Sequence, residues 1–450
     1  MKKIYRSSSI GAILLFGLFL FLDTYAQQKA PDTIDEYWLF RIDYIGNPMY
    51  KVVKLNADQG KLEGQYVNEN TRLKGKLEKN KYSLETLSGE GNYSQYEGEY
   101  TNGKINGNVL WKEPVTGKSL ESHWTAVRFP MERPGPPKKY DFVPSAFHLG
   151  YSGDIPPALH CWPGDTVYTE TVDCNGFDRQ GIHKVMEGNA EIGPFYIESA
   201  IPGDVIAIHF IKIRLNRNWA SSAEHLMSRS ISHDYAAHAK LDESVVRWNL
   251  DLDKGMATLA GNKAGLKNYS LPVKPMLGCV GVAPAFGVYP FPAIDSGPIG
   301  GNMDFVLMNE GTTLYLPVFQ PGALLFMGDG HALQGDGELN LDALETSLDV
   351  GFTVEIIRGA AAKLGQPRAE NASWLMAIGL NGSLDEAFRD ATTELANWLE
   401  HDYGLSPGET AIVLGTAIEY QITEVADRNV SVVAKIKKST MAGIGTRGGK

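Results

Sequence analysis

Between residue 34 and about residue 128 the apolar positions recur every second residue in short stretches: Tyr50 to Leu55, Leu62 to Tyr66, Leu73 to Leu77, Tyr96 to Tyr100 and Gly107 to Trp111. Turns rich in Asn, Gly and Lys separate them, such as Ala57-Asp58-Gln59-Gly60 and Asn102-Gly103-Lys104. Alternation with a turn every ten residues or so predicts an antiparallel β module, because side chains on a strand point to opposite faces in turn. Leu62-Glu63-Gly64-Gln65-Tyr66 and Tyr96-Glu97-Gly98-Glu99-Tyr100 form weak internal repeats. The module gathers no catalytic residue types, so it reads as a structural or carbohydrate-contacting accessory domain.

A proline-rich stretch over residues 129–139, densest from Pro130 to Lys139, then interrupts any regular element and predicts a stiff linker. From Tyr140 to about Arg358 strands return, with Thr166 to Val172, Val205 to Ile213, Thr313 to Val318 and Val350 to Ile357 the clearest. Turns such as Pro163-Gly164-Asp165 and Ile201-Pro202-Gly203-Asp204 precede β-branched runs, which suits sheets packed as a sandwich or a barrel. The pattern changes again near the end. Ser383-Leu384-Asp385-Glu386 is a capping box opening a helix with apolar positions Leu384, Ala387, Phe388, Ala391, Leu395, Trp398 and Leu399. Ser406-Pro407-Gly408-Glu409 opens a second helix, and Ser373 to Ile378, Tyr420 to Thr423 and Val430 to Ile436 read as strands. The predicted class is mainly β with an α+β extension.

The first residues carry a different signal. Lys2, Lys3 and Arg6 precede an unbroken apolar run from Ile10 to Leu22, and Thr24-Tyr25-Ala26 offers a small-residue cleavage site. Residues 1–26 are therefore expected to be a signal peptide, with a run too short for a stable membrane anchor and an exported product, periplasmic or secreted. No Cys follows the cleavage site, which argues against a lipid anchor, and no later segment has the length of a transmembrane helix. The formal charge of −11 gives no electrostatic footprint for nucleic acid. The 3 cysteines are too few for a disulfide framework; Cys161 and Cys174 could form one bridge or sit as free thiols on neighbouring strands.

Candidate chemistry concentrates in Gly328-Asp329-Gly330-His331-Ala332-Leu333-Gln334-Gly335-Asp336-Gly337-Glu338. Oxygen and nitrogen donors at this density suit a divalent ion such as zinc, and the glycines let the backbone bend around a centre. An EF-hand is excluded, since Asn340 stands where its terminal Glu belongs. A solvated pair of Asp-Gly turns joining strands is the plain alternative. Gly300-Gly301-Asn302-Met303-Asp304 brings glycines and polar groups together more weakly, and Asp173 ends a strand near His148 and His160. There is no Gly-x-Ser-x-Gly elbow and no His-Glu-x-x-His helix. Cys279 stands in an apolar stretch and reads as a small hydrophobe.

Several motifs in order resemble the acetamidase/formamidase family. They are Ile155-Pro156-Pro157, Pro163-Gly164-Asp165-Thr166-Val167 with Glu170-Thr171-Val172-Asp173, Gly193-Pro194 with Pro202-Gly203-Asp204-Val205, and Pro275-Met276-Leu277-Gly278 with Gly281-Val282-Ala283-Pro284. Gly300 to Asp304, Leu316-Pro317-Val318 and Gly328 to Glu338 complete the set, which spans roughly residues 142–437 and leaves the N-terminal module outside. The resemblance implies a β-sandwich catalytic domain over about 140–440 with a C-terminal α/β segment. It also implies a bound divalent metal, zinc first, and hydrolysis of short linear amides to carboxylate and ammonia. On that basis Asp173, Asp329 and His331 are the expected metal ligands and Glu338 the general base. Asn302 is the expected oxyanion donor, Asp304 shares the catalytic set, and His148, Asp336 and Glu345 are further members. The expected partner is a small amide, with a homo-oligomer left open. Two rivals stand beside this reading: a hydrolase of the same fold acting on another amide or an ester, and a catalytically silent exported binding protein.

Overall fold

The N-terminal alternation closes on itself. In the computed structural model, which describes residues 34–87, 93–112, 115–239, 244–261, 263–285 and 290–444, strands from Ile34–Tyr44 to Ser119–Arg128 form a closed eight-stranded antiparallel barrel. The expected signal peptide lies outside the described residues. Closure comes from pairing of the first strand with the last, Trp38 opposite Arg128 through Ile42 opposite Trp124. Full closure leaves no free edge. The inward side chains are large: Trp38, Phe40, Tyr82, Tyr96 and Trp124 are buried, and the Tyr66 and Tyr96 hydroxyls meet at 2.8 Å. The central glycine of the second repeat makes room for them. A Cβ on Gly98 would lie 2.8 Å from Ile105 and 2.9 Å from the Trp124 ring.

The barrel rests against the larger unit through a small apolar cluster of Val52, Phe129 and Ile201 and through one buried carboxylate. Asp204 accepts from Asn68 Nδ2 at 2.8 Å, from Arg358 Nη1 at 2.6 Å and from the Gly359 amide at 3.0 Å. The proline-rich stretch is fastened too. Arg133 donates to the Pro163 carbonyl at 3.0 Å and pairs with the fully buried side chain of Asp165, which also accepts from the Lys138 amide at 2.6 Å.

The rest is a sandwich of an eleven-stranded and a nine-stranded sheet, with the long C-terminal helix packed on the outer face of the nine-stranded sheet. The first sheet contributes Leu277, Val280, Leu325 and Met327 to the shared core, and the second contributes Ile206, Ile208, Leu314, Leu316, Val350 and Phe352. The helix Leu384–Tyr403 begins on Ser383, whose side chain accepts from the Glu386 amide, and ends on Gly404 in the left-handed conformation. Pro407–Ala417 has the full capping box of Ser406 and Glu409. The buried stripe of the first helix is Ala387, Ala391, Leu395, Trp398 and Leu399. Leu384 and Phe388, read from the sequence as part of that stripe, are exposed, and Phe388 instead faces the Tyr420 ring at 4.6 Å. Cys161, Cys174 and Cys279 are all free thiols.

Asp204→Ala removes the acceptor for donors from both units. We expect it to cost about 3 kcal/mol, the lower end for breaking a buried charged pair, with Asn68→Ala costing about 1 kcal/mol. Denaturant midpoints of the two variants test that order.

Candidate active site

Strand Leu325–Leu333, inside the eleven-stranded sheet, carries both Asp329 and His331. A regular strand places residues two apart on one face. Asp329 is also turned into the left-handed region, with φ of 54°. Opposite it on strand Met276–Val282 stands Gly278, and only a glycine fits there. A Cβ would lie 2.3 Å from Asp329 Oδ2 and 2.4 Å from Asp304 Oδ1. The Gly278 carbonyl accepts from the Met303 amide at 3.0 Å and the Asp304 amide at 3.2 Å, which turns Asp304 inward at φ of 41°. Glu338 arrives from the following loop at φ of 49°, and Glu345 pairs directly across from His331. Left-handed backbone at non-glycine residues costs of order 1–3 kcal/mol each, and it gathers here on three carboxylates that share one centre.

The His331 Nε2 atom marks that centre. It lies 2.7 Å from Glu345 Oε1, 3.5 Å from Asp329 Oδ1, 3.9 Å from Glu338 Oε1 and 4.0 Å from Asp304 Oδ1. All five side chains are buried. The short approach of Glu345 lacks hydrogen-bond alignment: Nε2 has no partner, nor do Asp329 Oδ1 and both Asp304 carboxylate oxygens. The tautomer follows from the next layer. Gln334 uses its amide nitrogen on the carbonyls of Asp304 and Thr423, each at 2.8 Å, so its oxygen is the acceptor for His331 Nδ1 at 2.9 Å. Nδ1 therefore carries a proton, and Nε2 is the ring nitrogen turned toward the carboxylates.

Electrostatically the centre is short of positive charge. Burial pushes Asp304 and Glu338 well above the usual carboxylate range, helped by Asp329 beside the first and Asp304 beside the second. Burial raises Glu345 to about 8 against the relief from His331, and raises Glu424 to about 8 and Asp427 to about 6 on the adjoining loop. Burial alone would lower His331, but the charges of Glu345 and Asp329 hold it well above the ordinary imidazole value. The donor atoms of Asp304, His331 and Glu338 lie within 4.8 Å of one another, and so do those of Cys174, Asp329 and Glu345. Unsatisfied buried oxygens gathered around an imidazole nitrogen are a fit for a divalent cation, which would take the place of the proton that His331 otherwise holds there.

The structure distributes the other candidate residues differently. Asp173 is fully buried, but both its oxygens serve protein donors: Arg217 Nη2 at 2.5 Å and the Phe177 amide at 2.8 Å. Arg217 also holds the carbonyl of Glu345 at 3.3 Å and the Thr346 hydroxyl at 3.0 Å, so Asp173 acts on the site through a strut. Asn302 donates to Asp427, while its oxygen receives Asn189 at 3.0 Å and the Cys279 thiol at 2.8 Å. Its amide is thus committed within the protein. Asp336 is exposed and accepts from Gln421 at 2.5 Å. His148 is half-buried, with its ring edge-on to Phe326 at 6.1 Å and its pKa lowered by burial. His160 pairs with Glu198 at 2.9 Å.

The sequence reading did not single out Gly278 as a steric requirement, or Asn189, Glu191, Gln334, Arg217, Glu424 and Asp427. Glu191 is buried beside Tyr151, whose hydroxyl donates to it at 3.1 Å, and near Cys279. Burial and the charges of Glu191 and Asp329 push the Cys279 thiol well above its usual range, so it stays protonated. The one local hint was the run Asn189-Ala190-Glu191 just before Gly193-Pro194.

Comparison with known proteins fits this centre. Residues 293–436 match the model of the Acetamidase/Formamidase family. An acetamidase from Mycolicibacterium smegmatis is 30% identical over 139 residues, 26% of this chain and 34% of that protein. A formamidase from Methylophilus methylotrophus is 29% identical over 148 residues, 28% of this chain and 36% of that one. The chain thus spans about a third of the length of these curated relatives. The crystal structure of a predicted acetamidase/formamidase from Thermoanaerobacter tengcongensis superposes with a TM-score of 0.59 at 28% identity, over 70% of this chain and 100% of that one. Residues 293–436 are thus similar to the acetamidase/formamidase family, and the sandwich carries the structural likeness.

Two measurements test this electrostatic picture. Arg217→Met leaves Asp173 buried without its partner, and we expect a loss of about 3–5 kcal/mol in unfolding free energy. For cation-free protein, the raised carboxylates fix the sign of the pH dependence. Glu345 ionises near 4.5 when unfolded and near 8 when folded, so the folded state binds more protons between those values. Stability of chelator-treated protein should fall as pH rises from about 5 to about 8, and thermal melts across that window check it. A rise would refute the assignment.

Proposed function

We propose that this chain is a divalent-cation-dependent hydrolase of the C–N bond of short linear amides, giving carboxylate and ammonia. The observation that carries the proposal is the buried centre of orphaned Asp304 and Asp329 oxygens facing the free Nε2 of His331. The family match over residues 293–436 and the relatives, an acetamidase and a formamidase, support the substrate class. Asp304, His331 and Glu338 would hold the cation, with Asp329 and Glu345 completing its surroundings; zinc suits the imidazole and carboxylate donors. When bound, such an ion supplies Lewis acidity toward the amide carbonyl and neutralises the carboxylates.

The chain's own residues supply the proton handling. Glu345 and Glu338 both flank His331, and burial makes both more basic than ordinary carboxylates. Glu345 accepts the proton of the attacking water and returns it to the leaving nitrogen, with Glu338, the base that the family resemblance implies, as the alternative. Gln334 keeps the His331 ring oriented, and Arg217 with Asp173 holds the backbone of Glu345. The expected export rests on the leader and makes the site of action periplasmic or extracellular. Among the described residues no helix is long and apolar enough to cross a membrane.

Ammonia release from formamide, acetamide and larger amides, with and without chelator, is the direct test. Chelation should abolish turnover and a divalent ion restore it. Asp304→Asn and His331→Ala should lose bound metal. Glu345→Gln should keep it and lower kcat by about 10²–10⁴, the usual span for removing a general base. If Glu338→Gln alone showed that pattern, the base would be Glu338. Turnover undiminished in metal-free protein would sink the metal role, and no turnover of any amide would favour an exported binding protein.

A further inference from the structure

A second concave site lies on the other side of the nine-stranded sheet. In strand Thr313–Pro317, Leu314 and Leu316 belong to the sandwich core, so alternation turns Tyr315 to the opposite face, where it meets the Trp398 ring at 6.0 Å. A cleft of about 440 Å³ opens there. Tyr315, Leu375, Trp398 and Tyr403 are among its apolar and aromatic lining, and Lys363, Arg368 and Asp402 bring polar groups to it. That volume is within the range of sites that enclose small ligands.

Arg368 decides what would fit. Its side chain is only 7% exposed and is held rigid: Nε pairs with Glu394, Nη2 donates to the Lys363 carbonyl at 2.7 Å, and the guanidinium lies 5.1 Å from the centre of the Trp398 ring. Nη1 is left over. Its nearest carboxylate is Asp402 Oδ2 at 4.0 Å, beyond hydrogen-bond reach. Among the described residues the Lys363 ammonium and the Tyr403 hydroxyl on the same cleft have no hydrogen-bond partner either. The other acid, Glu370, is already engaged by the Tyr315 hydroxyl at 2.5 Å and Lys438 at 2.5 Å. The cleft therefore offers a fixed cationic donor, an uncommitted carboxylate a few ångströms away and three aromatic rings.

We propose that this cleft binds a free α-amino acid with an apolar side chain. The ligand carboxylate would meet Arg368 Nη1 and Lys363, and its ammonium would meet Asp402. Its side chain would lie against Tyr315, Trp398 and Tyr403. In an α-amino acid the two charges sit on adjacent carbons, which matches the closeness of Arg368 and Asp402. The site shares no residue with the carboxylate centre and stands whether or not the amidase reading does.

Calorimetric titration of the full chain with L-phenylalanine, 3-phenylpropionate and phenethylamine tests it. The whole ligand should bind about tenfold or more tighter than either half, each charged contact contributing its own factor. Asp402 is half-exposed, so Asp402→Asn keeps the fold and should weaken L-phenylalanine about fivefold while leaving 3-phenylpropionate unchanged. Arg368→Lys, with a thermal melt to confirm folding, should weaken both carboxylates. No binding of L-phenylalanine at millimolar concentration, phenethylamine binding as tightly, or equal binding to Asp402→Asn would overturn the proposal.

Discussion

The constraint on which the site depends is the crowding of four buried carboxylates around one imidazole, whose single charge cannot answer them all. Asp304, Asp329, Glu338 and Glu345 converge on one imidazole in a buried pocket. An apolar core would not tolerate such a group, since unpaired buried charge either costs several kcal/mol or takes up a proton. The fold holds it because the eleven-stranded sheet supplies a rigid frame. Strand Leu325–Leu333 fixes Asp329 and His331, its partner strand removes a side chain at Gly278, and the pairing of His331 with Glu345 sets the remaining distance. Stability is given up locally so that a charge from outside is strongly favoured.

Arg217 shows how the frame reaches the centre without entering it. The guanidinium has donors for Asp173, Thr346 and the carbonyls of Phe177, Asp178, Trp219 and Glu345, and its face lies 3.4 Å from the centre of the Trp219 ring. A single buried cation thus ties the loop after strand Thr166–Glu170 to the segment that carries Glu345. Placed within the carboxylate centre itself, the same charge would satisfy the oxygens that now stand open. Its pairing with Asp173 instead keeps the centre negative.

What the sequence made legible was local. Period-two alternation, Ser-x-x-Glu boxes and a glycine-spaced loop each declare themselves within ten residues, and the corresponding strands, helices and the Asp329–His331 pair are where those signals point. Barrel closure was not legible, because nothing in Ile34–Tyr44 announces Ser119–Arg128 as its neighbour. Nor was the partner of Asp173, which is supplied by Arg217 from another strand connection. Asp336 illustrates the converse. It lies within the same loop as Glu338, yet Glu338 turns inward at a left-handed residue and Asp336 stays on the surface, a choice that depends on backbone angles rather than residue type.

The barrel adds a last step. A lone barrel of this kind needs no partner, since its aromatic interior is filled and its strands have no free edge. Yet it is fastened by Asn68 to the carboxylate of Asp204, by Val52 to Ile201, and through the following stretch by Arg133 to Asp165. Asp204 and Asp165 each follow a Pro-Gly turn of the sandwich, at the entry to a strand of the nine-stranded sheet. The barrel therefore grips the sandwich at turns, not over the sheet face that carries the carboxylate centre. An added domain attached in this way can change what the protein meets at its surface while leaving the geometry around His331 to the sandwich alone.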